Sequence, residues 1–243
     1  MALSGESGTP PLLSVVIPVF NEIQTIDRIL AAVRAVDLDI EIIAVDDFST
    51  DGTRDRLKEL AQTDERLRVF YHERNQGKGA ALRTGFAAAT GRFAVVQDAD
   101  LEYDPHDFHL LLKPLLEDRA DVVYGSRFSK SGPDRPPLTW HTFGNQVLTS
   151  LSNACTKLRL TDMETGYKMF RREVIQGIPI QENRFGFEPE ITAKIARYRI
   201  EGRPPRICEV AISYSGRSNR EGKKIGWKDC VRAIWCIFRY NWF

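Results

Sequence analysis

Two aspartates separated by one residue are the side chains in this sequence best suited to hold a metal ion. Asp98 and Asp100 directly follow the apolar run Arg92–Gln97. Mg²⁺ and Mn²⁺ prefer oxygen ligands, and they commonly share a few carboxylates with phosphate oxygens. Taken alone, such a pair is more often a solvated turn, but the polar clusters described next favour a metal site.

Two more polar clusters follow short hydrophobic runs in the same way. The run Leu13–Val19 leads into Phe20-Asn-Glu22, and Ile40–Val45 leads into Asp46-Asp47. In a parallel sheet, ligands bind in the crevice at the carboxyl ends of the strands. The three clusters therefore predict a single site at one edge of a sheet.

Apolar runs alternate with segments of helical periodicity through the first half of the chain, and this order predicts the fold. The predicted strands are 13–19, 40–45, 67–71, 92–97 and 120–124, with a further one at 210–214. The predicted helices run from about Glu22, with Asn21 as the expected cap, and over 53–65, 77–89, 105–116, 138–155 and 226–243. Strand–helix alternation of this kind predicts an α/β fold whose mostly parallel sheet has helices on both faces.

Composition excludes several other classes of protein. The chain has 243 residues, a length that suits one domain, or one domain with an appended segment. With 42% hydrophobic and 28% charged residues, a disordered chain is excluded. A formal net charge of +1 gives no general attraction to nucleic acid. The four cysteines form no CxxC pair, so we expect a reduced, cytoplasmic compartment. Residues 1–11 lack the apolar core of a signal peptide and are expected to be flexible.

Five motifs occur in an order that resembles one enzyme family. They are Val16–Glu22, Val45–Thr53, Asn75–Gly79, Gln97–Glu102 and Gly125–Arg127. Together they resemble the inverting family 2 glycosyltransferases of GT-A fold, and within that family the branch that transfers mannose or glucose to dolichyl or polyprenyl phosphate. The resemblance covers roughly residues 12–240, and it implies a GT-A domain over 12–225 with a Rossmann-like sheet.

The resemblance also implies a role for each matching residue. Pro18, Phe20 and Glu22 would line the nucleotide pocket, Asp47 would accept hydrogen bonds from the base, and Lys78 would contact a phosphate. Asp98 would lie near the ribose and the metal, and Asp100 would be the principal ligand of Mg²⁺ or Mn²⁺. Glu102 stands where many of these enzymes have Gln, as a third metal ligand or as a salt-bridged surface residue. The donor would be GDP-mannose or UDP-glucose.

A basic segment in the second half of the chain suggests how an acceptor phosphate is held. Arg217, Arg220, Lys223 and Lys224 lie within eight residues of one another, and Arg127 follows an earlier strand. Arginine offers a fork of donors that suits phosphate. A lipid phosphate is already ionised at neutral pH, so it can attack the sugar without a general base. We therefore expect Asp100, Arg127 and Arg217 to be catalytic in transfer to a polyprenyl phosphate.

Two alternatives remain open from the sequence. An acceptor hydroxyl would need a carboxylate base, for which Glu188 and Glu190 are the candidates. Both glutamates also fit the first turn of a helix, where the helix dipole favours negative charge. The other alternative is a catalytically silent scaffold that binds a sugar nucleotide.

The last segment, 226–243, is predicted to be an amphipathic helix. Its apolar face carries Trp227, Val231, Ile234, Trp235, Phe238 and Trp242, with cations on the other faces. It is too short and too charged to span a bilayer, which needs about 20 mainly apolar residues. Docking at a membrane surface and packing on a protein surface both fit this face, as they do for the helix over 138–155. We expect a peripheral protein at the cytosolic face of a membrane, delivered by this helix or by an anchoring subunit.

Overall fold

The computed structural model describes residues 9–129, 140–216 and 227–242. Its strands are β1 (Leu13–Val19), β2 (Ile40–Asp46), β3 (Leu67–Tyr71), β4 (Phe93–Val96), β5 (Val122–Ser126), β6 (Lys168–Arg171) and β7 (Ile207–Ala211). These seven strands form one sheet in the order β3-β2-β1-β4-β6-β5-β7. The central strands β1, β2 and β4 are buried on both faces, which explains their continuous Val, Ile and Ala content.

The sheet is parallel except at β6, which the sequence pattern did not reveal. β6 pairs antiparallel with β4 through Val95 and Met169, and antiparallel with β5 on its other side. This strand has four residues, with Lys168 and Arg171 at its ends, so it lacks the apolar run that marks the other inner strands. Its position in the sheet is set by its pairing with β4 and β5 rather than by an apolar sequence of its own.

Helices cover both faces of the sheet, as expected. They are α1 (Ile26–Arg34), α2 (Thr53–Thr63), α3 (Lys78–Ala88), α4 (Phe108–Leu116), α5 (Trp140–Thr156), α6 (Arg172–Gln176), α7 (Phe187–Arg197) and α8 (Trp227–Trp242), and a 3₁₀ turn (Pro105–Asp107) precedes α4. The apolar side chains of α1, α2 and α4 join the core on one face, and those of α3 and α5 to α8 join the core on the other. The expected α/β architecture is confirmed.

Two predicted boundaries were wrong for local reasons. Asn21 does not cap a helix, because it has a positive φ of 54° and its side chain accepts a hydrogen bond from Thr50 N. The first helix therefore begins later, at Ile26. The last strand begins at Ile207, earlier than predicted, since it pairs in parallel with β5 through Val122.

Helix α8 packs on α5 and α7 through one face only. Ala233, Cys236 and Ile237 are buried in the core of that side. The opposite face leaves Trp235 and Trp242 exposed. Among the helices of the described residues, none is long and apolar enough to cross a membrane.

The buried carboxylate of Asp121 joins three strands where the antiparallel strand enters the sheet. Just before β5, it accepts hydrogen bonds from Arg171 at the end of β6, at 3.1 Å, and from Arg203 and Arg206 ahead of β7, at 2.6 and 3.0 Å. Burial alone would raise the pKa of Asp121, but the hydrogen bonds from Arg203 and Arg206 outweigh it and hold that pKa well below its usual range. Asp121 thus links β5, β6 and the segment ahead of β7 by ion pairs.

We expect Asp121→Asn to lower the free energy of unfolding by about 2–4 kcal/mol, because it leaves three arginines around a neutral group. The loss should be complete above the pKa of an unfolded aspartate, near 4, and should shrink as the pH falls below it. Urea unfolding of both proteins across this pH range measures it.

Asp118→Asn is the matched control. Asp118 contacts the same Arg171 and Arg206, yet its side chain is 71% exposed. Solvent screening should make its effect on the free energy of unfolding much smaller than that of Asp121→Asn. Equal losses for the two variants would contradict the role of Asp121.

Candidate active site

A cleft of about 310 Å³ opens at the carboxyl ends of β1, β2 and β4, where the sequence predicted a site. Its lining includes seven of the predicted residues, namely Pro18, Phe20, Glu22, Asp47, Lys78, Asp98 and Asp100. Asn75, Arg184 and Phe185 also line it, and these three had not been assigned to the site. The strand ends thus converge on one cavity, as the parallel topology requires.

The loops that follow β1 and β2 are joined by hydrogen bonds between their backbones and side chains. Asn21 N donates to Ser49 Oγ at 2.9 Å, and Glu22 N donates to Thr53 Oγ1 at 3.0 Å. Ile23 N donates to Asp51 Oδ2 at 3.1 Å. These contacts hold Phe20 and Glu22 at the wall of the cleft.

Asp47 is held by the turn that precedes α3. Its two carboxylate oxygens accept hydrogen bonds from Gln76 N at 2.8 Å and Gly77 N at 2.6 Å. His72 Nδ1 lies 2.7 Å from the same carboxylate, and its Nε2 lies 3.0 Å from Thr84 Oγ1. Asp47 therefore fixes the floor of the cleft, and only its remaining lone pairs are available to a ligand.

Lys78, the first residue of α3, places a positive charge between two carboxylates. Its Nζ is 2.8 Å from Asp98 Oδ1 and 3.2 Å from Glu188 Oε1. Burial acts to lower the pKa of Lys78, but Asp98 and Glu188 raise it above its usual range. The ammonium therefore stays charged at the N-terminus of a helix, an end that already favours anions.

Two of the three carboxylates predicted to bind metal lie in this cleft. Asp98 and Asp100 line it, and the Asp100 carboxylate accepts a hydrogen bond from Glu102 N at 3.1 Å. Glu102 does not line the cleft, and its carboxylate accepts from Tyr214 Oη at 3.0 Å. Among the described residues, no group of three or more acidic, His or Cys side chains is arranged to hold an ion. The structure therefore does not assemble the three-carboxylate set expected from Asp98, Asp100 and Glu102.

Arg127 is paired with a buried aspartate at the end of β5. Its Nε and Nη2 donate to the two oxygens of Asp162 at 2.7 and 2.8 Å, and Asn145 donates to Asp162 at 3.0 Å. Burial would raise the pKa of Asp162, but the Arg127 guanidinium outweighs it and lowers that pKa. The Tyr214 ring lies 5.2 Å from the guanidinium carbon. Two of the arginine donors are thus committed to Asp162 rather than to an acceptor.

The turn 162–168 adds buried charges that the sequence pattern did not assign. Lys168 Nζ donates to Thr165 O, and Glu164 has one carboxylate oxygen that is buried without a hydrogen-bond partner in the described structure. Burial and the nearby Glu188 raise the pKa of Glu164, and burial lowers the pKa of Lys168. A Cβ on Gly166 would lie 2.4 Å from Asp98 Oδ2, so this turn passes directly against a residue of the cleft.

The two candidate bases, Glu188 and Glu190, have different surroundings. Glu190 is fully buried and accepts hydrogen bonds from Gln181 N and Glu182 N, both at 2.7 Å. It also pairs with Lys194 at 2.5 Å. Glu190 is therefore a structural residue that shapes the loop 181–186, whereas Glu188 reaches Lys78 at the cleft.

The loop 181–186 lies between α3 and α8. A Cβ on Gly79 would meet Glu182 O at 2.2 Å, and one on Gly77 would meet Asn183 O at 2.3 Å, so only glycine permits this approach. On the other side, Arg232 donates to both oxygens of Glu182 at 2.9 Å, and Tyr240 Oη donates to it at 2.9 Å. The same loop carries two residues of the cleft lining.

Four predicted residues are not located by the structure. Arg217, Arg220, Lys223 and Lys224 lie outside the described residues. The segment that leads to them is anchored, because Ser213 N donates to Asp107 Oδ2 at 2.6 Å and Ser215 N donates to Glu102 O at 2.9 Å. Arg184 and Phe185 could have been found from the sequence only by their position just ahead of a helix.

The chain is similar in sequence to curated proteins over most of its length. The dolichol-phosphate mannosyltransferase of Pyrococcus furiosus is 28% identical over 88% of this chain and 59% of its own length. The undecaprenyl-phosphate mannosyltransferase of Micrococcus luteus is 30% identical over 87% of this chain and 86% of its own length. The chain thus spans most of the second relative but less than two thirds of the first.

The fold is shared with solved structures of low sequence identity. One is glucosyl-3-phosphoglycerate synthase from Mycobacterium tuberculosis in complex with Mn²⁺, uridine diphosphate and phosphoglyceric acid, with a TM-score of 0.71, 22% identity, and coverage of 96% of this chain and 79% of that chain. This likeness confirms the expected GT-A fold. The family model described as "Glycosyl transferase family 2" matches residues 14–178, well over half of the sequence. The chain therefore belongs to glycosyl transferase family 2.

Proposed function

We propose that the protein is a metal-dependent, inverting glycosyltransferase that moves mannose or glucose from GDP-mannose or UDP-glucose to a polyprenyl phosphate. The observation that carries this proposal is the convergence of Asp47, Lys78, Asp98 and Asp100 on one cleft at the strand ends. The sequence relatives named above are polyprenyl-phosphate mannosyltransferases, which supports the lipid acceptor.

The donor set at the strand end fits Mg²⁺ or Mn²⁺. Asp98 and Asp100 supply hard carboxylate oxygens, and the remaining ligands would come from diphosphate oxygens and water. When bound, such a cation supplies Lewis-acid stabilisation of the departing nucleoside diphosphate. The neighbouring Lys78 ammonium adds a fixed charge on the same side of the cleft, 2.8 Å from Asp98.

Protein side chains supply the remaining parts of the reaction. Lys78 and the N-terminus of α3 face the diphosphate, and Asp47 holds the turn on which the base would rest. The acceptor phosphate oxygen forms a bond to the anomeric carbon as the bond to the nucleoside diphosphate breaks on the opposite side, which inverts that carbon. Arg127, through the N–H groups that do not bond Asp162, would hold the acceptor phosphate together with the basic residues Arg217, Arg220, Lys223 and Lys224.

Two neighbouring helices suit a protein that works at a membrane surface. The α8 residues Val231, Ile234, Trp235, Phe238 and Trp242 are exposed, and so are Phe143 and Val147 of α5. Tryptophan beside cations is favoured at the headgroup level of a bilayer. We propose that this surface, called the apolar ridge below, docks the protein at the cytosolic face of a membrane, with or without an anchoring subunit. The helix 226–243 would then be an appendage of the GT-A domain 12–225.

The test is incubation of the protein with a polyprenyl phosphate in detergent and radiolabelled GDP-mannose or UDP-glucose, in parallel and with Mn²⁺ or Mg²⁺. We expect label in the organic extract with one donor, abolished by EDTA. Transfer that survives EDTA would contradict the metal requirement. Binding of a nucleotide sugar without transfer to lipid would favour a hydroxyl acceptor or the silent scaffold.

Asp100→Asn is expected to lower kcat/KM for lipid glycosylation at least about 100-fold, because it removes charge from the metal site. It should also raise the Mn²⁺ concentration that gives half-maximal rate. Glu102→Gln is the matched control, because it removes a nearby carboxylate that contacts Tyr214 instead of the cleft. A shift of the Mn²⁺ requirement in Glu102→Gln would show that Glu102 is a metal ligand after all.

Glu188→Gln distinguishes the two acceptor classes. If a lipid phosphate is the acceptor, the variant loses only a partner of Lys78, and we expect kcat to fall less than about 100-fold with an unchanged pH profile. A general base would cost about 100- to 10,000-fold and would remove one limb of that profile. Steady-state rates across pH, with the wild type alongside, measure the difference.

Arg217→Ala should raise the apparent KM for polyprenyl phosphate by about tenfold and change the KM for the nucleotide sugar much less, since it removes a charged hydrogen bond to the acceptor only. Arg28→Ala, an exposed arginine of α1, is the control. Equal increases in both KM values would argue against a role for Arg217 in acceptor binding.

A further inference from the structure

A second cavity lies away from the cleft and is lined by cations and aromatic rings. It has a volume of about 520 Å³ and is formed by the C-terminal half of α7, the segment 178–181 and the end of α8. Its lining is Ile178, Pro179, Gln181, Lys194, Arg197, Tyr198, Arg239 and Tyr240. Among the residues that the structure describes, this lining has no Asp or Glu, so it is suited to an anion.

The cations of this cavity differ in how far they are neutralised. Lys194 pairs with Glu190 at 2.5 Å. Neither Arg197 nor Arg239 makes an ion pair with a carboxylate in the part of the chain that the structure describes. Arg239 instead lies 4.8 Å from the ring centre of Trp235 and 5.8 Å from that of Tyr240. The guanidinium groups of Arg197 and Arg239 therefore line the cavity without a carboxylate partner among the described residues.

The cavity adjoins the apolar ridge. Trp235, exposed by 42% on that ridge, has Arg232 on its ring at 4.2 Å in addition to Arg239. At 3.6 residues per turn, Arg232 and Arg239 share one flank of α8, between its exposed and its buried faces. Two arginines thus lie beside the exposed aromatic side chains; Arg232 pairs with Glu182, and Arg239 lines the cavity.

We propose that this basic cavity binds the phosphate of an anionic phospholipid headgroup while the apolar ridge lies in the bilayer. The charge complementarity favours an anion, and the adjoining tryptophan favours one that carries acyl chains, which a free phosphate lacks. The arginine forks offer paired donors to a phosphate. The inference rests on the membrane docking proposed above and adds a defined headgroup site to it.

Quenching of tryptophan fluorescence by brominated lipid tests this site on the full-length chain. Vesicles of one fixed composition, phosphatidylcholine with phosphatidylglycerol, carry bromine either in the acyl chains of the phosphatidylglycerol or in those of the phosphatidylcholine. Per brominated lipid, we expect stronger quenching from phosphatidylglycerol, because it is enriched beside Trp235. Equal quenching by both labels would overturn the headgroup site and leave docking intact, whereas no quenching by either would overturn both.

Substitutions distinguish specific headgroup binding in the cavity from general electrostatic attraction of the protein to an anionic membrane. Arg197→Gln combined with Arg239→Gln should weaken binding to anionic vesicles about 25-fold, or about fivefold per arginine, which corresponds to about 1 kcal/mol each. It should also equalise quenching by the two labels. Arg28→Gln, on the helix layer across the sheet, should change neither quantity.

The double lysine variant, Arg197→Lys with Arg239→Lys, keeps both charges but removes the forks. We expect it to lose several-fold in affinity and to lose the preference for phosphatidylglycerol. Binding and quenching equal to those of the wild type would overturn the site and show that the two arginines act only as net charge.

Discussion

The pairing of Lys78 with Asp98 and Glu188 is the interaction on which the cleft depends. Parallel strands deliver carboxylates to one edge of the sheet, where they would repel one another and any phosphate. One ammonium group, 2.8 Å from Asp98 and 3.2 Å from Glu188, compensates both. Because it belongs to the first turn of α3, the start of that helix and the end of β4 are held together by the same contact.

Much of the fold and part of the site could be predicted from the sequence because both follow from local patterns. The strand at Leu13–Val19 has a continuous apolar run, and Asp47, Asp98 and Asp100 come immediately after such runs. The antiparallel strand Lys168–Arg171 could not be predicted, since its place depends on partners far away in the sequence. Arg184 reaches the cleft for the same reason, through a loop held by Glu190.

Spacing alone could not separate Glu188 from Glu190, which lie two residues apart in the first turn of α7. Their hydrogen-bond partners separate them. Glu190 is saturated by two backbone N–H groups and Lys194, while Glu188 faces the ammonium of Lys78. Similarly, Glu102 lies only two residues after Asp100 in the sequence. Leu101 between them has a positive φ of 63°, and the Glu102 carboxylate accepts a hydrogen bond from Tyr214 rather than lining the cleft. Residue type limits which side chains are candidates for the site, and their tertiary contacts show which of them reach it.

The loop 181–186 is closely packed on two sides. On one side its backbone lies against Gly77 and Gly79 at the start of α3. On the other side its Glu182 carboxylate accepts hydrogen bonds from Arg232 and Tyr240 of α8. Helix α8, this loop and the start of α3 at the cleft are therefore in continuous contact through these residues. A shift of α8 relative to the sheet would therefore also move the loop that carries Arg184 and Phe185 of the cleft lining. If α8 rests on a bilayer and the cleft holds the nucleotide as proposed, we expect the lateral pressure of that bilayer to alter the rate at which spent nucleotide leaves.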